Sequence, residues 1–188
     1  ITAVANLINL NELRLQGNPL TVGAIPIIQS LEDGGTDVSY DEIVPVEVNI
    51  PDDNLRSVLE SALGKNAGEA ITEVELARLT EIEYVGKGPE ELQITDLTGI
   101  EHCVNLQNLN LYVNQISDIK PLANLTRLTS LNLAHNQISN ISDVANLTNL
   151  EELWLINNQI SDISAVANLT NLTKLYLADN QISNITAV

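Results

Sequence analysis

Leucine and isoleucine recur at fixed positions along most of this chain, with a period of 22 residues. The clearest copy starts at Leu97 and reads LTGIEHCVNLQNLNLYVNQISD; three more follow it, and a fifth, ITAVANLINLNELRLQGNPLTV, begins the chain. Each copy contains a Leu-x-Leu core, and this alternation predicts a short strand with both leucines facing inward. Stacked copies of such a unit predict a parallel sheet over an aliphatic core.

The predicted core has a strand side and a return side. The leucines of the strand side are Leu10, Leu13, Leu15, Leu106, Leu109, Leu111, Leu128, Leu131, Leu133, Leu150, Leu153, Leu155, Leu172, Leu175 and Leu177. The isoleucines of the return side are Ile116, Ile119, Ile138, Ile141, Ile160, Ile163, Ile182 and Ile185. Cys103 stands where the other copies have Leu, so we expect it to be a small buried hydrophobic residue and not a nucleophile.

A polar residue stands at each of two turns of the repeat. The first is an asparagine after the strand, whose amide can satisfy backbone groups of the adjacent coil. This predicts a structural ladder of Asn18, Asn114, Asn136, Asn158 and Asn180. The second polar residue precedes the return isoleucine and is predicted to cap the next turn. In the four successive copies this residue is Asp118, Asn140, Asp162 and Asn184. A metal array is the alternative for this second position, but Asp alternates with Asn and no DxDxDG loop is present, so we expect no metal site.

The pattern LxxLxLxxNxIxDI, nearly complete in every copy, resembles the leucine-rich repeat, and specifically the 22-residue type of the internalins. The resemblance implies a bacterial protein with an α/β fold. The expected architecture is a right-handed solenoid with a parallel sheet on its concave face and helical caps. The resemblance also implies an extracellular or cell-surface location and the recognition of a protein or glycan.

Two segments without the repeat resemble the caps of such arrays. In residues 46–79, Pro51 and Asp52 are predicted to open a helix, and Thr72 with Glu75 forms a capping box for a second, short helix. The apolar face of the first helix is formed by Leu55, Val58, Leu59 and Leu63. Residues 23–40 are predicted to form a helix ended by Gly34 and Gly35, followed by a brief strand.

The order of these parts is that of a circularly permuted module. Residues 1–40 form a last repeat with a C-terminal cap, and residues 41–45 form a linker. Residues 46–79 form the N-terminal cap, and residues 80–188 form an irregular first coil and four repeats that end uncapped. The sequence ITAV at the end of the chain duplicates the first four residues.

Closure of the array by its own residues 1–40 is disfavoured by the linker. Its reach is about 20 Å, whereas seven coils stacked at strand spacing span about 29 Å. We therefore expect residues 1–40 to complete and cap the open solenoid of another copy, head to tail, in a filament or a tandem array. The alternative is that the boundaries were cut arbitrarily from a longer array.

The side chains that flank the inward leucines are predicted to face the concave surface, where repeat solenoids usually bind. Trp154 and Tyr176 occupy the same position in successive coils, and exposed aromatics are enriched in binding hot spots. The candidate binding residues are Tyr112, Trp154, Tyr176 and Ile156, with Glu152, Lys174, Glu12 and Arg14 as a polar rim. The competing interpretation is that the aromatics pack on one another only for stability.

Composition excludes other classes of function. The formal net charge of −17 disfavours nucleic acid and anionic lipid as partners, and no apolar run is long enough to cross a membrane. No catalytic triad, phosphate loop or metal-ligand spacing stands out, and His102 and His135 do not share an offset. The sequence therefore predicts a non-catalytic scaffold without a cofactor, which assembles head to tail; the alternative is an extracellular adhesion or recognition module.

Overall fold

The computed structural model describes residues 10–18, 20, 24–41, 45–86 and 93–186. The chain forms two compact units. The smaller unit comprises residues 1–47 and 72–74, and the larger comprises residues 48–71 and 75–188.

The smaller unit contains strand β1 (Glu12–Arg14), helix α1 (Ile25–Asp33) and strand β2 (Asp37–Ser39). The two strands pair in parallel, with Leu13 opposite Val38. The unit has its own apolar core, formed by Ala24, Ile28, Leu31 and Val38 with Leu13, Leu15, Leu20 and Ile27 packed against them. The helix and brief strand predicted for residues 23–40 are thus confirmed for the described residues, and the helix ends at Gly34 as predicted.

The larger unit begins with helices α2 (Asp53–Leu63) and α3 (Glu73–Leu76, whose first residues belong to the smaller unit). Asp52 caps α2 by accepting hydrogen bonds from the amides of Asn54 and Leu55, and Gly64 ends it in the left-handed region with φ 68°. Leu55 and Leu59 are fully buried. The predicted start and apolar face of this helix are therefore confirmed.

Five parallel strands follow, one in each coil: β3 (Glu81–Glu83), β4 (Asn108–Asn110), β5 (Ser130–Asn132), β6 (Glu152–Trp154) and β7 (Lys174–Tyr176). The register repeats every 22 residues, so that Leu109, Leu131, Leu153 and Leu175 oppose one another in succession. This is the leucine-rich-repeat arrangement expected from the sequence, with a parallel sheet on one side of the core. We call the solvent-facing side chains of β3–β7 the concave face.

Short 3-10 helices form the return side, at Lys120–Leu122, Ser142–Asn146 and Ser164–Asn168. The predicted caps are confirmed, because one side-chain oxygen of each accepts a hydrogen bond from the amide two residues ahead. The accepting residues are Asp118, Asn140, Asp162 and Asn184. The hydrogen bonds from Ser164 hold the pKa of Asp162 below its usual value. Short acceptors of this kind compete well for turn amides.

Burial of the core decreases at the last coil. Leu131, Leu133, Leu153 and Leu155 are fully buried, whereas Leu172, Leu175, Leu177 and Ile182 are only partly buried. The return isoleucines change more sharply. Their exposed fractions are 1% at Ile119, 2% at Ile141 and Ile163, and 69% at Ile185. Among the described residues, each buried isoleucine has a further coil after it in the chain, and Ile185 does not.

Candidate binding surface

A left-handed residue lies three positions after each of the strands β4–β7 and turns the chain away from the concave face. These residues are Val113, His135, Asn157 and Asp179, with φ between 53° and 59°. The ladder asparagine follows each of them directly. Because the same turn recurs in the coils of β4–β7, side chains at equivalent positions lie side by side across this part of the sheet.

The asparagine ladder holds neighbouring coils together through buried hydrogen bonds. Asn136 Nδ2 donates to the carbonyl of Leu111 in the preceding coil at 3.1 Å, and its Oδ1 accepts from the amide of Ile116 at 3.0 Å. Asn158 and Asn180 make the equivalent pairs of bonds. These are the bonds that a structural ladder would make, and Asn114 Oδ1 likewise accepts from the amide of Ile94.

Trp154 and Tyr176 form the aromatic centre of the concave face. Their rings stack with centroids 5.7 Å apart and an interplanar angle of 9°. Tyr176 is 40% exposed and Trp154 is half-buried. Trp154 therefore packs against one face of the Tyr176 ring, and Tyr176 is the more exposed residue of the pair. Ile156, also half-buried, lies two residues along the strand direction from Trp154.

An ion pair lies next to the aromatic pair on the same two strands. Lys174 Nζ is 2.5 Å from Glu152 Oε1, and both residues face solvent in part. The hydrogen bond and the negative charge of Glu152 raise the pKa of Lys174. These two members of the predicted polar rim are thus brought together beside the aromatic residues.

Tyr112 belongs to a different row of the concave face. The register aligns Asn110, Asn132, Trp154 and Tyr176, so Tyr112 is aligned instead with Ala134 and Ile156. Its ring contacts His135 edge-on, with centroids 5.1 Å apart and an interplanar angle of 81°. The repeat pattern does not predict this contact. His135 follows Tyr112 by one repeat plus one residue, but this spacing does not encode the left-handed turn that brings the two rings together.

His135 also extends this second patch. Its Nδ1 lies 2.8 Å from Nδ2 of Asn157, which is the left-handed residue of the next coil. If Nδ2 of Asn157 is the donor, His135 Nδ1 accepts in the tautomer that carries its proton on Nε2. Tyr112, His135 and Asn157 therefore form a mixed aromatic and polar edge to the concave face.

Glu12 and Arg14 lie on β1 of the smaller unit, in a different sheet from the other candidate residues. They pair with each other, Arg14 Nε to Glu12 Oε1, and both are largely exposed. Their coil nevertheless has the conformation of the array. Gly17 has φ 74° at the left-handed position, and Asn18 Nδ2 donates to the carbonyl of Leu15 at 3.0 Å, as Asn180 does to that of Leu177.

Other chemistry on the described residues is sparse. Burial, with a smaller effect of the charge on Glu101, raises the pKa of the Cys103 thiol to about 12, which keeps it protonated. Among the described residues, no group of three or more His, Cys, Asp or Glu side chains could hold a metal ion. None of the helices described is long and apolar enough to cross a membrane.

Comparison with known proteins agrees with the repeat pattern. A family model described as leucine-rich repeats (two copies) matches residues 104–146, 126–168 and 148–188. An internalin (inlF) from Listeria monocytogenes is similar in structure, with a TM-score of 0.63 and 30% identity over 77% of this chain and 48% of that chain. The functional domain of InlJ from Listeria monocytogenes, which includes a cysteine ladder, has a TM-score of 0.61 and 27% identity. That match covers 76% of this chain and 36% of the other, so the chain spans half or less of both relatives. No curated protein matches significantly.

Proposed function

The chain is a bacterial leucine-rich-repeat protein of the internalin type, and on this premise we propose that it is a non-catalytic interaction scaffold that assembles head to tail. Residues 1–40 complete and cap the open solenoid of a neighbouring copy. The observation that carries the proposal is that β1 and β7 have complementary free edges.

The polarity of each edge follows from the hydrogen bonds between coils. In the array, the amide of the second strand leucine donates to the next coil: Leu133 donates to the carbonyl of Trp154, and Leu155 to that of Tyr176. In the smaller unit, the amide of Leu15 donates to the carbonyl of Ser39 in the same way, at 2.7 Å. Strand β2 therefore occupies the next-coil side of β1.

The free edges are consequently of opposite type. Within the described residues, β7 pairs with β6 alone and is open on its next-coil side. Among the described residues, β1 likewise pairs with β2 alone, and its edge on the side of a preceding coil is open. Strand β1 of a second copy can therefore pair with the open edge of β7. Strand β2 and helix α1 of that second copy would then cover the other edge of β1. Unpaired edges of this kind favour pairing with another chain.

The apolar surface at the last coil supports the same partner. A hollow of about 350 Å³ lies there, and its lining includes Val166, Leu169, Leu172, Lys174 and Leu175. Ile185 is exposed, whereas Ile119, Ile141 and Ile163, which have a further coil after them in the chain, are buried. Leucines at positions 10, 13 and 15 repeat the pattern of those at 172, 175 and 177 and would continue this core. The junction is the same whether the second copy is a separate subunit or an adjacent module in a tandem array.

Sedimentation velocity and electron microscopy of the 188-residue chain test the proposal. Species that grow with concentration are expected, because a head-to-tail contact does not close on itself unless its rotation forms a ring. Ile185→Glu should reduce the growth, whereas Val104→Glu, which alters a residue that is 49% exposed away from the last coil, should not. A monodisperse monomer at all concentrations would contradict head-to-tail assembly.

Recognition through the concave face is a second candidate function, and the stacked pair Trp154–Tyr176 favours it. The aromatic pair and the adjacent Glu152–Lys174 ion pair together offer apolar and charged contacts to the surface of a protein partner. Resemblance to the internalins supports an extracellular or cell-surface location for both functions.

Trp154 is the sole tryptophan of the chain, so its emission reports on ligands at this face. Titration with candidate cell-surface proteins and with soluble oligosaccharides should shift the emission of the wild type. Binding should be lost in Trp154→Ala and Tyr176→Ala but kept in Tyr40→Ala, which alters an exposed residue of the smaller unit. Equal binding by all variants would count against this surface.

A further inference from the structure

We infer that the junction between copies is fixed in register by two contacts on the concave face: Glu12 of one copy with Lys174 of the next, and Arg14 with Tyr176. The inference rests on the proposed head-to-tail assembly and names its partner surface.

The register follows from the repeat itself. In the array, residues that are 22 positions apart lie opposite each other on neighbouring strands. Examples are Glu152 opposite Lys174 and Trp154 opposite Tyr176. The coil of residues 10–18 has its leucines, its left-handed Gly17 and its Asn18 at the positions of the β7 coil. A following coil of this kind therefore brings Glu12 opposite Lys174 and Arg14 opposite Tyr176. A slip of one residue would turn the leucines of β1 to solvent, which the core forbids.

The charges at the first position are complementary. Lys174 already contacts Glu152 on one side and keeps half of its side chain exposed on the other. Glu12 directly opposes Asp37 within the smaller unit, and like charges in that arrangement repel each other. At the junction, Lys174 would contact Glu152 of its own copy and Glu12 of the other copy. Its positive charge would also reduce the repulsion between Glu12 and Asp37. In a chain of net charge −17, few other cations are available for this contact.

The second position joins a cation to an aromatic ring. The inner face of Tyr176 is covered by Trp154, and its outer face points toward the open edge of β7. Arg14 is exposed on three quarters of its side chain, and its guanidinium is planar. Stacked on the outer face of Tyr176, it would extend the row Trp154, Tyr176, Arg14 and gain a cation–π contact.

A charge-swap cycle tests the first contact by sedimentation equilibrium at low salt. Glu12→Lys and Lys174→Glu should each weaken association by about 5- to 20-fold, because like charges then meet at every junction. The double variant should return to within about twofold of wild type. Glu83→Lys and Lys120→Glu make the same changes in net charge away from the junction and should have little effect.

Disulfide trapping tests the register without relying on charge. A chain with Glu12→Cys and Lys174→Cys should form a ladder of covalent multimers under mild oxidation, since opposed strand residues have adjacent Cβ atoms. Glu12→Cys with Glu152→Cys, one coil out of register, should not. Cys103 is fully buried and will not compete.

The outcomes separate the two levels of the proposal. A wild-type chain that stays monomeric overturns the assembly and the register together. If the charge-swap variants associate as strongly as the wild type, the register is wrong but the assembly is not contradicted. The same holds if the out-of-register cysteine pair forms cross-links. A cross-link formed within one chain, seen as a compact monomer on a non-reducing gel, overturns the assignment of a second copy as partner.

Discussion

The carbonyl oxygen of Val113 occupies the space that a side chain on Gly86 would need: a Cβ built on Gly86 would lie 1.7 Å from that oxygen. The amide of Gly86 donates to the carbonyl of Tyr112 at 3.0 Å, so the irregular first coil joins the sheet by a direct backbone contact. The absence of a side chain is what allows this approach.

Gly86→Ala should therefore lower the free energy of unfolding by about 1–3 kcal/mol, since the first two coils must separate to admit the methyl group. Urea unfolding followed by circular dichroism measures the loss. Val85→Ala, at the neighbouring half-buried residue, is the comparison for a change of side-chain volume alone. A Gly86→Ala variant as stable as the wild type would exclude the tight contact.

Much of this fold could be predicted from the sequence because each repeat position has one physical task. The inward leucines and the Asp or Asn turn caps recur at a fixed spacing and take the positions predicted for them, and the ladder asparagines make hydrogen bonds between neighbouring coils. The resemblance to the internalins is likewise confirmed by comparison with known proteins. Regular stacking makes position along the repeat equivalent to position in space.

Contacts that depend on departures from the repeat could not be predicted. Tyr112 meets His135 because a left-handed turn changes where the next side chain points, and spacing alone does not encode that turn. The approach of Gly86 to Val113 lies in the irregular coil, where no repeat fixes the register. Whether the concave residues bind a partner stays a prediction, because outward positions are free of the packing constraints that specify the core.

Val113 has φ 59°, a conformation that disfavours β-branched residues, while the equivalent turns use His135, Asn157 and Asp179. Val113→Asn should raise the free energy of unfolding by about 0.5–1 kcal/mol by relieving this strain. The thermal midpoint and urea unfolding both report the gain. Val104→Asn serves as a control at an exposed position outside the turn, and a loss of stability in Val113→Asn alone would refute the explanation.

The side-chain amide of Asn136 forms hydrogen bonds with its own coil and with the preceding one, and the residue is 8% exposed. Asn136→Ala should cost about 2–4 kcal/mol, because the amide of Ile116 and the carbonyls of Leu111 and Leu133 lose their partner in a buried site. Asn140→Ala, which removes one exposed turn cap, should cost about 1 kcal/mol or less. Equal losses in chemical unfolding would argue against a ladder that joins coils.

Cys103 should be unreactive in the folded protein, because burial raises its pKa to about 12 and leaves almost no thiolate at neutral pH. Labelling with a chromogenic disulfide at about pH 8 should therefore proceed only as fast as the chain opens, and should be immediate in denaturant. Asn149→Cys provides an exposed thiol for comparison in the same chain. Similar rates at both sites would show that Cys103 is accessible.

Asp52 joins helix α2 to the first coil of the array. Its Oδ1 accepts hydrogen bonds from the amides of Asn54 and Leu55, and its Oδ2 accepts from the amides of Thr95 and Asp96 and the hydroxyl of Thr95. Burial raises the pKa of this carboxyl, but the hydrogen bonds together outweigh it and lower the pKa below its ordinary value of 3.8. The ionised form is therefore the one that the fold stabilises.

The direction of the pH dependence follows from this lowered pKa. A carboxyl whose pKa is depressed in the folded state contributes its stability above the unfolded pKa and loses it as the pH falls through the folded value. Asp52→Asn should thus destabilise the protein by about 2–4 kcal/mol at neutral pH. The difference from wild type should shrink below about pH 4. Asp53→Asn, at the exposed neighbour in the first turn of α2, is the matched control and should change the free energy of unfolding far less at neutral pH. Urea unfolding between neutral pH and about pH 3 measures both curves, and a gap between wild type and Asp52→Asn that does not change with pH would mean that the charge on Asp52 plays no part.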